Sequence, residues 1–219
     1  MDLLYAAHVP PGEGPFPTVI ALHGWGANAH DLLGLAPMLF DGRALVLCPQ
    51  GSVEIPIGGG AKGYGWFPLM AGGTPVDPAD FARAAQVLRA FVAGARERYP
   101  IDPRRVVPMG FSQGGFMAYD LALSDPEGFA GVAGLSSWFP PALAATLPKR
   151  PEHERLPVLV VHGTRDAMID VERARESREA LREYGVQLTY REFEMGHEIR
   201  PEALRVVLQW LNEKALKKG

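Results

Sequence analysis

The chain has 219 residues, a length that suits one α/β domain better than two domains, and 47% of them are hydrophobic, enough to bury a sizeable core. Its 22 Lys and Arg against 25 Asp and Glu leave a formal charge of -3, too small to argue for nucleic acid or an anionic membrane as partner. No stretch approaches the ~20 apolar residues of a membrane span, and a single cysteine forms no intrachain disulfide.

The first residues, Met1-Asp2-Leu3-Leu4-Tyr5, have neither the basic region nor the apolar run of a signal peptide, so a cytoplasmic protein is expected. Short β-branched or aliphatic runs then follow at 18–22, 44–48, 105–109, 131–135 and 157–161, the composition of buried parallel strands. Cys48 closes the second run and reads as a buried structural thiol. The stretch 51–74 is long, irregular and Gly-rich. It holds Tyr64, Trp66 and Phe67 and reads as a loop that walls a site.

Beyond it the spacing turns helical. Phe81, Ala84, Ala85, Leu88, Phe91, Val92 and Ala95 recur at three and four, opened by Asp77-Pro78 and closed before Pro100. Residues 116–123 are a second helical stretch. Val171, Ala174, Leu181 and Tyr184 line a third, with Asp170 as its N-cap and Gly185 as its stop. Residues 187–193 alternate as an outer strand does. Pro201 opens a last helix carrying Leu204, Val207, Leu208 and Leu211, and Lys214, Lys217 and Lys218 read as its solvated end. Strand and helix in alternation predict one α/β domain over 1–219, a mostly parallel sheet with helices on both faces. Ligands of such sheets gather beyond the carboxyl ends of the strands.

The decisive motif is Gly110-Phe111-Ser112-Gln113-Gly114, between the run 105–109 and the helical stretch 116–123. This is a Gly-x-Ser-x-Gly turn in the strand-to-helix context that a nucleophile elbow requires. The strand must become a helix within one residue, which strains the serine and lifts its hydroxyl above the sheet. The alternative is a Gly-rich turn that merely caps a helix. A serine hydroxyl is a weak nucleophile and needs a base. Of six histidines, His23 and His162 each end a strand and read as structural, while His8, His30 and His153 stand without chemical company. His197, in Glu194-Met195-Gly196-His197-Glu198, lies between the outer strand and the last helix, where the base of such a site belongs.

The acid is expected after the run 157–161, and Asp166 is there, in His162-Gly163-Thr164-Arg165-Asp166. A carboxylate at that place accepts from imidazole Nδ1 and fixes the tautomer. Asp170 competes for the role but fits better as a helix cap. The order Ser112, Asp166, His197 is the chain order of α/β-hydrolases. Two backbone donors complete the expected site as an oxyanion hole: the N–H of Gln113, next to the serine, and that of Trp25 in His23-Gly24-Trp25-Gly26.

With Leu135-Ser136-Ser137-Trp138, these segments resemble the carboxylesterase/lysophospholipase/acyl-protein thioesterase family over nearly the whole chain. The resemblance implies the α/β-hydrolase fold with a minimal lid, and catalysis by Ser112, Asp166 and His197 with Trp25 and Gln113 as oxyanion donors. It also implies hydrolysis of carboxylic esters or thioesters without metal or cofactor. Trp25 stands where acyl-protein thioesterases often carry Leu, and the Gly58-Gly59-Gly60 run precedes the Trp66-Phe67 pair, both of which favour short-to-medium acyl groups. Trp66, Phe67 and Trp138 are the expected walls of the substrate pocket. Trp25, Phe111 and Phe139 are further aromatics that either line it or sit in the core. The expected partner is a small-molecule ester, with no nucleic acid and no stable membrane insertion, for a monomer or homodimer. Thioesterase or lysophospholipase activity is the alternative, and a non-catalytic binding protein of the same fold the remaining one.

Overall fold

The computed structural model describes residues 3–69 and 77–216. In chain order the strands and helices are β1 (Tyr5–His8), β2 (Phe16–Leu22), β3 (Leu45–Pro49), β4 (Val53–Gly58), β5 (Ala61–Gly65), α1 (Pro78–Arg98), β6 (Ile101–Phe111) and α2 (Gln113–Ser124). They continue with β7 (Val132–Leu135), α3 (Pro141–Thr146), β8 (Pro157–Gly163), α4 (Val171–Glu183), β9 (Gln187–Phe193) and α5 (Pro201–Trp210). Seven strands form the main sheet in the order β1-β3-β2-β6-β7-β8-β9, with β1 antiparallel to β3 and the other neighbours parallel.

Every second residue of a strand points to the same face, and here both faces are apolar because both are covered. Ile20, Leu22, Leu45, Leu47 and Val106 face a core shared with α1 and α2. Val19, Ala21, Val46, Cys48, Val107 and Met109 face a second core shared with α5. The expected face of α1 is the buried one, from Ala84 to Ala95, and Asp77 caps the helix by accepting the Ala79 N–H at 2.8 Å. Asp170 caps α4 in the same way, accepting from Glu172 N–H at 2.9 Å. Cys48 is buried, and burial pushes its thiol pKa up to about 12. Among the described residues no helix is long and apolar enough to cross a membrane.

The stretch 51–74 is not irregular throughout. Residues 53–65 form an antiparallel hairpin of β4 and β5, whose turn runs through Gly58, Gly59 and Gly60 with φ of 93°, 57° and 77°. Three successive positive φ angles require residues without a Cβ, so the glycines make a tight turn rather than a slack loop. Residues 70–74 of that stretch, and Lys217 and Lys218, lie outside the described residues.

Candidate active site

Between the end of β6 and the start of α2 stands one residue, Ser112. Its backbone (φ 52°, ψ -120°) lies in the region that side chains with a Cβ rarely adopt. The neighbouring glycines are needed for this turn. A Cβ on Gly110 would overlap the Gly114 carbonyl, one on Gly114 the Leu22 carbonyl, and one on Gly115 the Ser137 side chain. The strained residue is tied at both ends. Its N–H donates to Leu135 O at 2.9 Å, and Ser137 Oγ donates to its carbonyl at 2.7 Å.

Asp166 and His197 stand just past the ends of β8 and β9. The Asp166 side chain is fully buried, and its two oxygens have separate tasks. Oδ1 accepts the N–H groups of Met168 and Ile169, each at 2.9 Å, while Oδ2 accepts from His197 Nδ1 at 2.8 Å. A carboxylate held by three donors is fixed in direction. With Nδ1–H committed to it, Nε2 is the nitrogen of His197 left to act as a base. His162 adds a fourth contact: its Nε2 donates to Ile169 O at 2.8 Å and lies 3.5 Å from the same Oδ2. The Phe111 ring, one residue before Ser112, rests against the His197 imidazole with centroids 4.8 Å apart. Ser112 Oγ makes no hydrogen bond among the described residues; serine–histidine contacts of this kind often tighten only when substrate is bound.

The loop after β2 is held differently, by the β4–β5 hairpin. Gly26 N–H donates to Tyr64 O at 2.9 Å and Tyr64 N–H to Ala27 O at 2.8 Å. The Trp25 indole lies against Gly65, where a Cβ would overlap the ring. The Gln113 side chain reaches across from α2: Oε1 accepts the Trp66 N–H at 2.8 Å and Nε2 donates to Phe67 O at 2.7 Å. Trp66 Nε1 donates in turn to His23 O at 2.9 Å, and its indole stacks on the His23 ring with centroids 5.2 Å apart. His23 Nε2 accepts from Gly51 N–H at 2.9 Å, which assigns its proton to Nδ1, donating to Gly24 O at 2.7 Å. Burial lowers the His23 pKa, so this neutral tautomer persists. Neither the Trp25 nor the Gln113 backbone N–H finds an acceptor among the described residues.

The three expected wall residues separate. Trp138 lines a cavity of about 410 Å³ together with Phe81, Phe116, Pro140, Leu143 and Leu147. Its wall thus includes Phe116, four residues after Ser112, and Trp138, the residue after Ser137. Arg173 lies over the Trp138 ring, 4.6 Å from its centroid, and keeps it in place. Phe67 is 2% exposed and stands behind Phe116, at 5.5 Å between centroids. Trp66 is 3% exposed and borders a separate cavity of about 670 Å³ between the hairpin and α1. Phe139 is wholly buried in the core.

Sequence reasoning passed over Phe81 and Phe116 as pocket walls, although Phe116 follows Ser112 at the four-residue spacing that shares a helix face. It also passed over the Gln113 side chain as a support, for which residue spacing gave no sign, whereas His23 has the structural place expected of it. His153, without company in the sequence, is a structural pin: Nδ1 accepts from Arg150 N–H and Nε2 donates to Leu123 O, both at 2.9 Å. Among the described residues no group of three His, Cys, Asp or Glu side chains is placed to hold a metal ion.

Comparison with known proteins gives the family and the fold. A family model described as phospholipase/carboxylesterase matches residues 5–215. Acyl-protein thioesterase 1 of Gibberella zeae is 26% identical over 211 residues, which cover 90% of this chain and 90% of the relative. The crystal structure of esterase PE8 superposes with a TM-score of 0.83 at 26% identity, over 98% of this chain and 100% of that one. The Bacillus cereus carboxylesterase shares the fold, with a TM-score of 0.81 at 22% identity over 95% and 93% of the two chains. The architecture is that of the α/β-hydrolases.

Proposed function

The chain belongs to the phospholipase/carboxylesterase family, and from that premise we propose that it is a serine carboxylesterase acting on short-to-medium acyl esters through an acyl-enzyme on Ser112. The observation that carries this reading is the half-buried Asp166–His197 hydrogen bond of 2.8 Å past two strand ends, with His197 against Phe111, the residue before the strained Ser112. In the first step His197 Nε2 takes the Ser112 hydroxyl proton as Oγ attacks the ester carbonyl. The oxyanion of the tetrahedral intermediate lies between the N–H groups of Trp25 and Gln113, at the positive end of α2. His197 returns the proton to the departing alcohol as the C–O bond breaks. Water, deprotonated by the same nitrogen, then attacks the acyl-serine, and Ser112 leaves with the proton restored. Asp166 keeps the imidazole in one tautomer and offsets the charge it acquires.

The cavity of about 410 Å³ beside Phe116 and Trp138 supplies an apolar bed for the acyl chain. The same steps release a thiol from a thioester, and the name of the Gibberella zeae relative supports that activity as the second reading. Hydrolysis of p-nitrophenyl esters from acetate to palmitate, wild type beside Ser112→Ala, tests the proposal. The expected result is a rate that peaks at a short or medium chain and falls to background in the variant. Equal rates in the two proteins, or none in either, would overturn it.

A further inference from the structure

The apolar cavity whose wall includes Phe116, one turn of α2 beyond Ser112, also carries a charged pair. Helices α1 and α2 run side by side in the same sense. Phe81 packs on Phe116, with centroids 5.4 Å apart, and further along the same two helices Arg89 donates to Asp120 Oδ2 at 2.8 Å. Arg89 and Asp120 both line the cavity. Phe116 and Asp120 lie one turn apart on one stripe of α2 and Ser112 is the residue just before the helix, so at 1.5 Å per residue the pair lies about 12 Å along the helix from Ser112. The Asp120 side chain is 5% exposed and that of Arg89 44%. Each is the other's only side-chain hydrogen-bond partner among the described residues. Most of the guanidinium donors and Asp120 Oδ1 are therefore unspent.

An ion pair with one half-exposed member is weak as a stability device. Its position on the wall of this cavity gives it another use. An extended acyl chain advances about 1.3 Å per C–C bond, so a chain attached at Ser112 meets the pair after about nine bonds. A longer hydrocarbon chain would press its end against two charged groups and strip them of water without replacing the lost hydrogen bonds. A hydroxyl at the same point donates to Asp120 Oδ1 and accepts from Arg89.

We propose that the Arg89–Asp120 pair is a specificity determinant that limits the acyl chain to about eight to ten carbons and accepts a polar ω-group, a hydroxyl above all, at its end. The inference rests on the esterase reading above and adds the identity of the acyl terminus. Burial holds the Asp120 carboxyl above its usual range, the Arg89 guanidinium pulling it back only in part, so the far end of the cavity is short of polar partners.

The test is the ratio of kcat/KM for p-nitrophenyl 10-hydroxydecanoate to that for the decanoate, measured on the wild-type protein. The expected ratio is about tenfold or more, because a site built to hydrogen-bond a hydroxyl discriminates against the analogue that lacks it. Replacing both charges together, Arg89→Leu with Asp120→Leu, avoids an unpaired buried charge. It is expected to abolish the hydroxyl preference and to raise the dodecanoate-to-octanoate ratio by about tenfold. Equal wild-type rates on the two decanoyl esters overturn the inference, as does a folded double variant with an unchanged profile. Should the double variant not fold, the wild-type pair of substrates decides alone. Turnover of the acetate ester with no hydroxyl preference defeats this inference and leaves the esterase reading standing; no turnover of any ester defeats both.

Discussion

On one side of Ser112, Asp166 and His197 touch each other directly and draw support from the loops that carry them: two backbone N–H groups on Oδ1, one imidazole on Oδ2. On the other side, the loop 23–27 is positioned at second hand. It hangs on Tyr64 of the hairpin, on the Trp66 indole and, through Trp66 and Phe67, on the Gln113 side chain. The supports of the first flank are local to two adjacent strand ends. Those of the second join β2, the hairpin and α2, segments 43 to 47 residues apart in the chain. On the proposed mechanism, the difference predicts that rate and stability are separable on the Asp166–His197 flank and coupled on the flank of the loop 23–27.

The largest expected effect tests the first half of that statement. Asp166→Asn keeps an oxygen to accept the Met168 and Ile169 N–H groups but presents an amide to His197, selecting the wrong tautomer. Turnover is expected to fall on the order of 10⁴-fold. The melting temperature is expected to move by less than about 3 °C, the equivalent of less than about 1 kcal/mol in a domain of this size. A large drop in melting temperature would show that this flank also holds the fold, and the contrast would be lost.

Gln113→Ala probes the second half. It strands the Trp66 N–H and the Phe67 carbonyl in a buried place, at about 1–3 kcal/mol each, so the melting temperature is expected to fall by more than about 5 °C. The two proposed oxyanion donors lose their common brace as well, and a misplacement of the order of 1 Å costs on the order of 10²-fold in rate. A variant that lost rate at unchanged melting temperature would mean that the side chain braces the site alone and not the fold.

The two flanks were also unequally legible in the sequence. The acid–base flank announces itself because chemistry demands particular residue types after particular strands, and those strands have patterns of their own: β6 and β8 are longer versions of expected aliphatic runs, and β9, expected from its alternation, is found at the expected bounds. The hairpin that braces the other flank was hidden. Gly58-Gly59-Gly60 suggests slackness when the partner strands are short and half-exposed, and the pairing that runs from Val53–Gly65 to Gly58–Ala61 shows that it is a turn. Trp66 and Phe67 were read as pocket walls because exposed and buried aromatics look alike in a sequence; their burial depends on Gln113 and Phe116 arriving from α2. The edge strand β1 left no signal for a similar reason, since its four residues gain their order from β3 rather than from their own pattern.

Trp66→Phe is the finest of these probes, because it removes one donor and keeps the ring that stacks on His23. The His23 carbonyl loses its indole partner, at about 1–3 kcal/mol if nothing replaces it, which lowers the melting temperature by a few degrees in a domain of this size. The Gln113 clasp on the Trp66 and Phe67 backbone is untouched, so the loop 23–27 keeps its hairpin anchor at Tyr64. Turnover is therefore expected to fall by less than about tenfold, well short of the Gln113 variant. Calorimetry and p-nitrophenyl acetate kinetics on the same preparation give both numbers. A rate loss as large as that of Gln113→Ala would put the indole–carbonyl bond, rather than the amide clasp, at the centre of the brace. Coupling between stability and rate would then run from Trp66 through His23 to Gly24 and Trp25, the peptides next to the proposed oxyanion site.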